Sequence, residues 1–268
     1  MPHIKLDAFE LFYEVVGEGP PLLLLSGLGA NRLGFAPVVP ALARRYQVIT
    51  CDNRGTGRSG VPPGPYSIDQ MAADTAALIE HLRVGPVAVI GWSLGGTIAQ
   101  SLLIDHPALL TAAVLLSTLP CYSELQHCWL DSVLALRRTG IDPLLAATAG
   151  APWIFTPSTL ANHDRAMRIL RGRADDPEAT SDEAFEAQAA AIRSFDRRAE
   201  LALVTTPTLV LVGAEDVLTP PRQSIEIAQC LRQATLEVLP RGGHGMLLEY
   251  PGATLGAINS FLERHLPA

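Results

Sequence analysis

The sequence has 268 residues, of which 48% are hydrophobic and 18% charged, and its formal net charge is −7. That length suits one large domain with an extensive core. The acidic balance and the lack of any Lys/Arg run exclude a surface built for nucleic acid or for an anionic membrane, and no apolar run is long enough to cross a bilayer.

The opening Met1-Pro2-His3-Ile4-Lys5-Leu6-Asp7 lacks the basic start, apolar core and small-residue cleavage site of a secretory signal. The four cysteines, Cys51, Cys121, Cys128 and Cys230, are scattered and form no C-x-x-C pair. Neither a disulfide framework nor a zinc site is expected, and reduced thiols in a cytoplasm are the simpler expectation.

Short apolar runs then alternate with segments of helical period. Strands are predicted at Leu11–Val16, Leu22–Ser26, Val48–Asp52, Val87–Gly91, Ala113–Ser117, Thr208–Gly213 and Thr235–Leu239. Several are nearly continuous in Val, Leu and Ile, the composition of strands buried on both faces of a mostly parallel sheet. Helices are predicted at Ile68–Arg83, Leu94–His106, Arg222–Leu231 and Ala253–His265. From about residue 120 to 203 no buried strand can be read, only helix-period segments carrying Trp129, Leu130, Val133 and Leu136, then Phe185, Ile192 and Phe195. The sheet pattern resumes at Thr208, so this stretch is expected to be a helical cap inserted into a single α/β domain.

The chemistry centres on Gly91-Trp92-Ser93-Leu94-Gly95-Gly96, which follows one predicted strand and opens a predicted helix. A serine at such a sharp turn needs glycines on either side, where side chains would strike neighbouring strands. The helix amino terminus behind it favours developing negative charge. A serine nucleophile needs a base, and the base needs an orienting acid. Of the seven histidines, only His244 lies in a glycine-bracketed loop after a late strand. His3, His81, His106, His127, His163 and His265 read as ordinary surface or core residues. Two carboxylates, Glu215 and Asp216, follow the strand Leu209–Gly213. Successive residues point to opposite sides, so only one of them can reach the histidine. The turn Ser26-Gly27-Leu28-Gly29 follows another strand, and the backbone N–H groups of Leu28 and Leu94 are expected to form an oxyanion hole.

These motifs in this order resemble the α/β-hydrolase superfamily across essentially the whole chain apart from the cap. The resemblance implies an α/β-hydrolase fold, and it selects Asp216 as the acid because Gly213-x-x-Asp216-x-x-x-Pro220 resembles the family's acid loop. Asp52-Asn53-Arg54-Gly55-Thr56-Gly57-Arg58-Ser59 is similar to a structural turn of the family and receives no catalytic role. The opening hexapeptide and Pro65–Met71 resemble bacterial 3-oxoadipate enol-lactone hydrolases. Ser26–Gly29 and Tyr66–Ala73 also resemble aminoacrylate hydrolases. The family's common His-Gly before the oxyanion residue is Ser26-Gly27 here.

The expected activity is hydrolysis of a small or medium carboxylic ester, lactone or thioester through an acyl-enzyme on Ser93, with a small-molecule substrate and no metal or organic cofactor. Ser93 cannot replace the aspartate with which dehalogenases and epoxide hydrolases of this fold form an alkyl ester. Two alternatives stay open at this level: a lyase, C–C hydrolase or elimination catalyst using the same site, and a non-catalytic receptor on the same fold. In the cap, Trp129, Trp153 and Phe155 are candidate pocket residues for an apolar acyl group, with plain packing between cap helices as the alternative.

Overall fold

A computed structural model describes residues 2–266. Eight strands form one sheet: β1 (His3–Lys5), β2 (Glu10–Val16), β3 (Pro21–Leu25), β4 (Gln47–Cys51), β5 (Val87–Trp92), β6 (Leu110–Leu116), β7 (Thr208–Gly213) and β8 (Ala234–Leu239). Their spatial order is β1-β2-β4-β3-β5-β6-β7-β8. The first two strands pair antiparallel with their neighbours and the rest run parallel. The helices are α1 (Val39–Leu42), α2 (Ile68–Leu82), α3 (Leu94–Asp105), α4 (Glu124–Arg138), α5 (Pro143–Ile154), α6 (Pro157–Ala161), α7 (His163–Ala174), α8 (Asp182–Arg193), α9 (Arg198–Leu201), α10 (Pro221–Cys230), α11 (Met246–Glu249) and α12 (Pro251–His265).

The period of two along each central strand sorts its side chains into two cores. On β3, Leu23 and Leu25 join the apolar cluster that also holds Met71 of α2 and Ile98 of α3. Leu22 and Leu24 join the opposite cluster, with Leu42 of α1 and Phe261 of α12. All four leucines are fully buried, and each such side chain contributes roughly 1.5–3 kcal/mol relative to exposure. Helix α3 is apolar almost all round because it is packed between the sheet and α2, with every residue from Leu94 to Leu103 buried. Its neighbour α2 starts at a capping box, in which Ser67 Oγ accepts from Gln70 N–H while Gln70 Oε1 accepts from Ser67 N–H.

The two edges of the sheet add to the sequence reading. A short strand, His3–Lys5, pairs with β2 at one edge, where three residues carry too little periodicity to be read. The strand predicted at Thr235–Leu239 is present as β8 and forms the other edge, where Leu236 and Val238 are exposed. Between β6 and β7 the chain builds only helices, α4 to α9, and its one strand-like contact is an isolated Cys121–Asp196 bridge. Local caps start these helices, with Asp142, Asn162 and Ser181 accepting backbone N–H groups of α5, α7 and α8. Among the described residues, no helix is long and apolar enough to cross a membrane.

Candidate active site

Ser93 sits between β5 and α3 at φ 57°, ψ −117°, a backbone setting that a non-glycine residue rarely adopts. Steric crowding around the turn explains its glycines. A Cβ on Gly91 would lie 2.2 Å from the Gly95 carbonyl oxygen, one on Gly95 2.0 Å from that of Leu25, and one on Gly96 2.5 Å from Thr118 Cβ. The strained serine is held on both sides: its N–H donates to Leu116 O at 3.0 Å, and its carbonyl accepts from Thr118 Oγ1 at 2.7 Å. Gly95→Ala therefore forces backbone apart at the elbow. We expect a destabilisation of at least about 3 kcal/mol, at the upper end of overpacking costs, read as a melting temperature lower by roughly 6–12 °C. Gly150→Ala in α5, where a Cβ meets nothing within 4 Å, should instead hold or slightly raise it. Equal melting temperatures for the two variants would refute the crowding argument.

His244 Nε2 lies 3.0 Å from Ser93 Oγ, and its Nδ1 lies 3.1 Å from Asp216 Oδ2. Ser93 is half-buried, whereas His244 and Asp216 are buried. With its proton on Nδ1, the imidazole donates to Asp216 and presents Nε2 as acceptor to the serine hydroxyl. The carboxylate itself is fixed by three further donors. Oδ1 accepts from the N–H groups of Leu218 (3.0 Å) and Thr219 (2.8 Å), and Oδ2 accepts from Thr219 Oγ1 at 2.8 Å. Glu215 turns the other way, to Arg241 at 3.3 Å, on a half-exposed side chain.

The candidate oxyanion donors flank the serine. A Cβ on Gly27 would lie 3.3 Å from Ser93 Cβ, so the Ser26–Gly29 turn passes directly over the elbow. Among the described residues, neither the Leu28 nor the Leu94 N–H donates to a protein acceptor. Beneath the turn, buried Asp52 accepts from the N–H groups of Arg32 (2.8 Å) and Arg58 (2.9 Å) and pairs with the Arg32 guanidinium at 3.0 Å. Burial pushes the Asp52 carboxyl up, and these two amides and the guanidinium oppose that rise. Arg32 also bonds Glu178, and this bond is the main cause holding the Glu178 carboxyl below its ordinary value.

Phe155 is buried against the histidine loop, where a Cβ on Gly245 would lie 2.7 Å from its ring. Trp129 of α4 packs on the main core, and Trp153 of α5 is half-buried. Among the described residues, neither tryptophan forms a hydrogen bond or ring contact with the Ser93–His244–Asp216 line. No group of three or more His, Cys, Asp or Glu that could hold a metal ion occurs among the described residues.

Several residues at the site were not singled out by the sequence reading. Trp92 Nε1 donates to the His244 carbonyl at 3.0 Å, tying the elbow to the histidine loop. Thr219 anchors Asp216. Buried Glu249 accepts from Gly243 N–H at 2.8 Å and from Thr156 N–H at 2.7 Å, and Gly245 N–H donates to Ile154 O at 2.7 Å. Gly245 is thus bound directly to the end of α5, and Gly243 is linked through Glu249 to Thr156, two residues beyond it. Trp92 and Thr219 lie inside or beside the quoted motifs and were within reach of a closer reading. Glu249 and Thr156 are far apart in sequence, and nothing in the sequence pairs them.

Comparison with known proteins agrees with this fold. Residues 20–251 match the family model described as alpha/beta hydrolase fold. The chain is 30% identical over 256 residues to 3-oxoadipate enol-lactonase 2 of Acinetobacter baylyi, covering 95% of this chain and 93% of that protein. It is 31% identical to the Caulobacter segnis protein that carries the name carbamate hydrolase RutD, covering 90% and 91% of the two chains. Among solved structures, the enol-lactonase of Burkholderia xenovorans superposes with a TM-score of 0.88 at 27% identity, over 98% of this chain and 100% of that one. By fold, strand order and sequence alike, this chain belongs to the α/β hydrolase fold family.

Proposed function

We propose that the chain hydrolyses a small or medium carboxylic ester, lactone or thioester through an acyl-enzyme on Ser93. The observation that carries this reading is the unbroken line Ser93 Oγ–His244 Nε2 and His244 Nδ1–Asp216 Oδ2, at 3.0 and 3.1 Å. Ser93 Oγ attacks the carbonyl carbon while its proton passes to His244 Nε2. The imidazolium so formed faces the Asp216 carboxylate, and the carbonyl oxygen, now negative, accepts from the Leu28 and Leu94 N–H groups. Collapse of the tetrahedral intermediate expels the alcohol, enol or thiol, which takes the proton from His244. A water then attacks the acyl-enzyme by the same route. The names that two relatives carry, enol-lactonase and carbamate hydrolase, both denote cleavage at a carbonyl carbon bearing a heteroatom leaving group, which supports this class.

We further assign the whole chain to one domain, with residues from about 120 to 203 as its cap. The four thiols are free, in keeping with a cytoplasmic protein. A panel of nitrophenyl esters, simple lactones and thioesters tests the activity. Turnover of at least one class is expected, and EDTA should leave it unchanged because every step runs through Ser93, His244 and backbone donors. No turnover of any class by folded protein, or EDTA loss restored by zinc, would overturn the reading.

A further inference from the structure

The turn that carries Leu28 is held from outside the sheet. Ala30 N–H donates to Gly27 O at 3.1 Å, closing a tight turn with Leu28 and Gly29 at its centre. Gly29 takes φ +64°, the left-handed position of such a turn. Its two peptide groups are both bonded to the segment around α8: Gly29 N–H donates to Gln188 Oε1 at 2.9 Å, and Thr180 Oγ1 donates to Gly29 O at 3.1 Å. The Phe185 ring closes the remaining space, since a Cβ on Gly29 would lie 2.6 Å from it. Next along the chain, Asn31 Nδ2 donates to Asp176 Oδ2 at 2.8 Å, into the same cap segment.

Gln188 is fully buried and uses both ends of its amide. While Oε1 accepts from Gly29, Nε2 donates to Arg54 O at 2.9 Å. The neighbouring Asn53 Nδ2 donates to Ser26 O at 3.2 Å. The side chain therefore spans two sheet-derived turns, the one after β3 and the one after β4, from a helix of the cap. A buried amide with both ends satisfied specifies one arrangement, because any displacement leaves a buried donor or acceptor unpaired.

We propose that Gln188 is a positioning residue for the oxyanion hole. By fixing the Leu28–Gly29 peptide it sets where the Leu28 N–H points over Ser93, so the seating of α8 on the sheet and the stabilisation of the oxyanion are one and the same arrangement. This rests on the reading of Ser93 as nucleophile and Leu28 as donor. Gln188 itself touches no substrate. Its effect falls on the state in which the carbonyl oxygen is charged, and not on ground-state binding.

The test compares wild type with Gln188→Met, which keeps volume but has neither amide end, and with Thr180→Val, which removes only the bond to Gly29 O. The readouts are kcat and KM on a nitrophenyl ester, the inhibition constant of a trifluoromethyl ketone, and circular dichroism. The ketone adds to Ser93 Oγ, whose proton passes to His244 Nε2 while the carbonyl electron pair becomes an alkoxide in the oxyanion hole. Losing a direct oxyanion donor costs about 10²–10³ in rate, and misplacing one should cost less. For Gln188→Met we expect kcat lower by roughly 10- to 100-fold, KM within about twofold, and a ketone inhibition constant raised by a factor similar to the loss in kcat. Thr180→Val should shift the same two quantities in the same direction by a smaller factor, and it decides the matter if Gln188→Met does not fold. A folded variant with kcat and ketone affinity within twofold of wild type overturns the proposal. So does a change confined to KM. If the ketone fails to bind wild type at all, the nucleophile assignment fails instead, and the two failures are distinguished.

Discussion

A fluorophosphonate probe is expected to add once to the folded protein, at Ser93, and Ser93→Ala is expected to abolish both labelling and turnover. Loss of a serine nucleophile from a complete triad lowers kcat by about 10⁶-fold, because the remaining members have nothing to activate. The labelling has a structural rationale. Among the described residues, no other side chain competes for Ser93 Oγ, which lies 3.0 Å from His244 Nε2 and is half-buried, so a reagent can reach it. Intact mass spectrometry gives the stoichiometry and peptide mapping gives the position. A single adduct on another residue, or an undiminished adduct on folded Ser93→Ala, would remove Ser93 from the mechanism. The substitution keeps the backbone bonds to Leu116 and Thr118, so its circular dichroism should match wild type.

The second large effect separates two adjacent carboxylates. Asp216→Asn should lower kcat by roughly 10³- to 10⁴-fold with the fold intact, since an amide that donates toward Nδ1 favours the wrong imidazole tautomer. The surrounding donors sharpen the expectation. Oδ1 already accepts two backbone N–H groups and Oδ2 accepts the Thr219 hydroxyl. An amide nitrogen placed at Oδ1 would face two donors, so the nitrogen settles at the Oδ2 position, against His244. Glu215→Gln should cost about tenfold or less, because Glu215 faces Arg241 and not the imidazole. Steady-state rates on any ester that wild type turns over decide between them. A damaging Glu215→Gln beside a silent Asp216→Asn would reverse the assignment, and two silent variants would move the acid to another strand end.

How much of this was legible in the sequence follows from how local each constraint is. The elbow was, because its steric demands fall on Gly91, Gly95 and Gly96, all within one hexapeptide, and the strand and helix around it are strongly apolar. Spacing alone left Glu215 and Asp216 open, and a family resemblance favoured Asp216. In the structure Asp216 Oδ2 lies 3.1 Å from His244 Nδ1, while Glu215 is directed to Arg241 on the other side of the strand end. Edges were harder to read. Leu236 and Val238 are apolar, yet among the described residues β7 alone pairs with β8, and which strand ends a sheet is a property of topology. The braces around the site were hidden for a related reason. Gln188 meets Gly29, and Glu249 meets Thr156, across long stretches of chain, and a polar residue on a predicted helix carries no mark of a distant partner.

The strand order has a consequence for the chain as it is made. The backbone turn of the elbow can form once β3, β5 and β6 have paired, since its backbone bonds and close approaches are to Leu25, Leu116 and Thr118. His244 belongs to the loop after β8, the edge strand that pairs with β7. A chain emerging from the ribosome amino terminus first therefore presents a formed turn whose serine is an ordinary alcohol, with neither base nor acid beside it. If Ser93 is the nucleophile, its reactivity is conferred by the last strand to dock. On the proposed mechanism, a nascent or truncated polypeptide that has buried most of its core would carry the serine without its base, and the nucleophile would be armed only in a molecule that has finished folding.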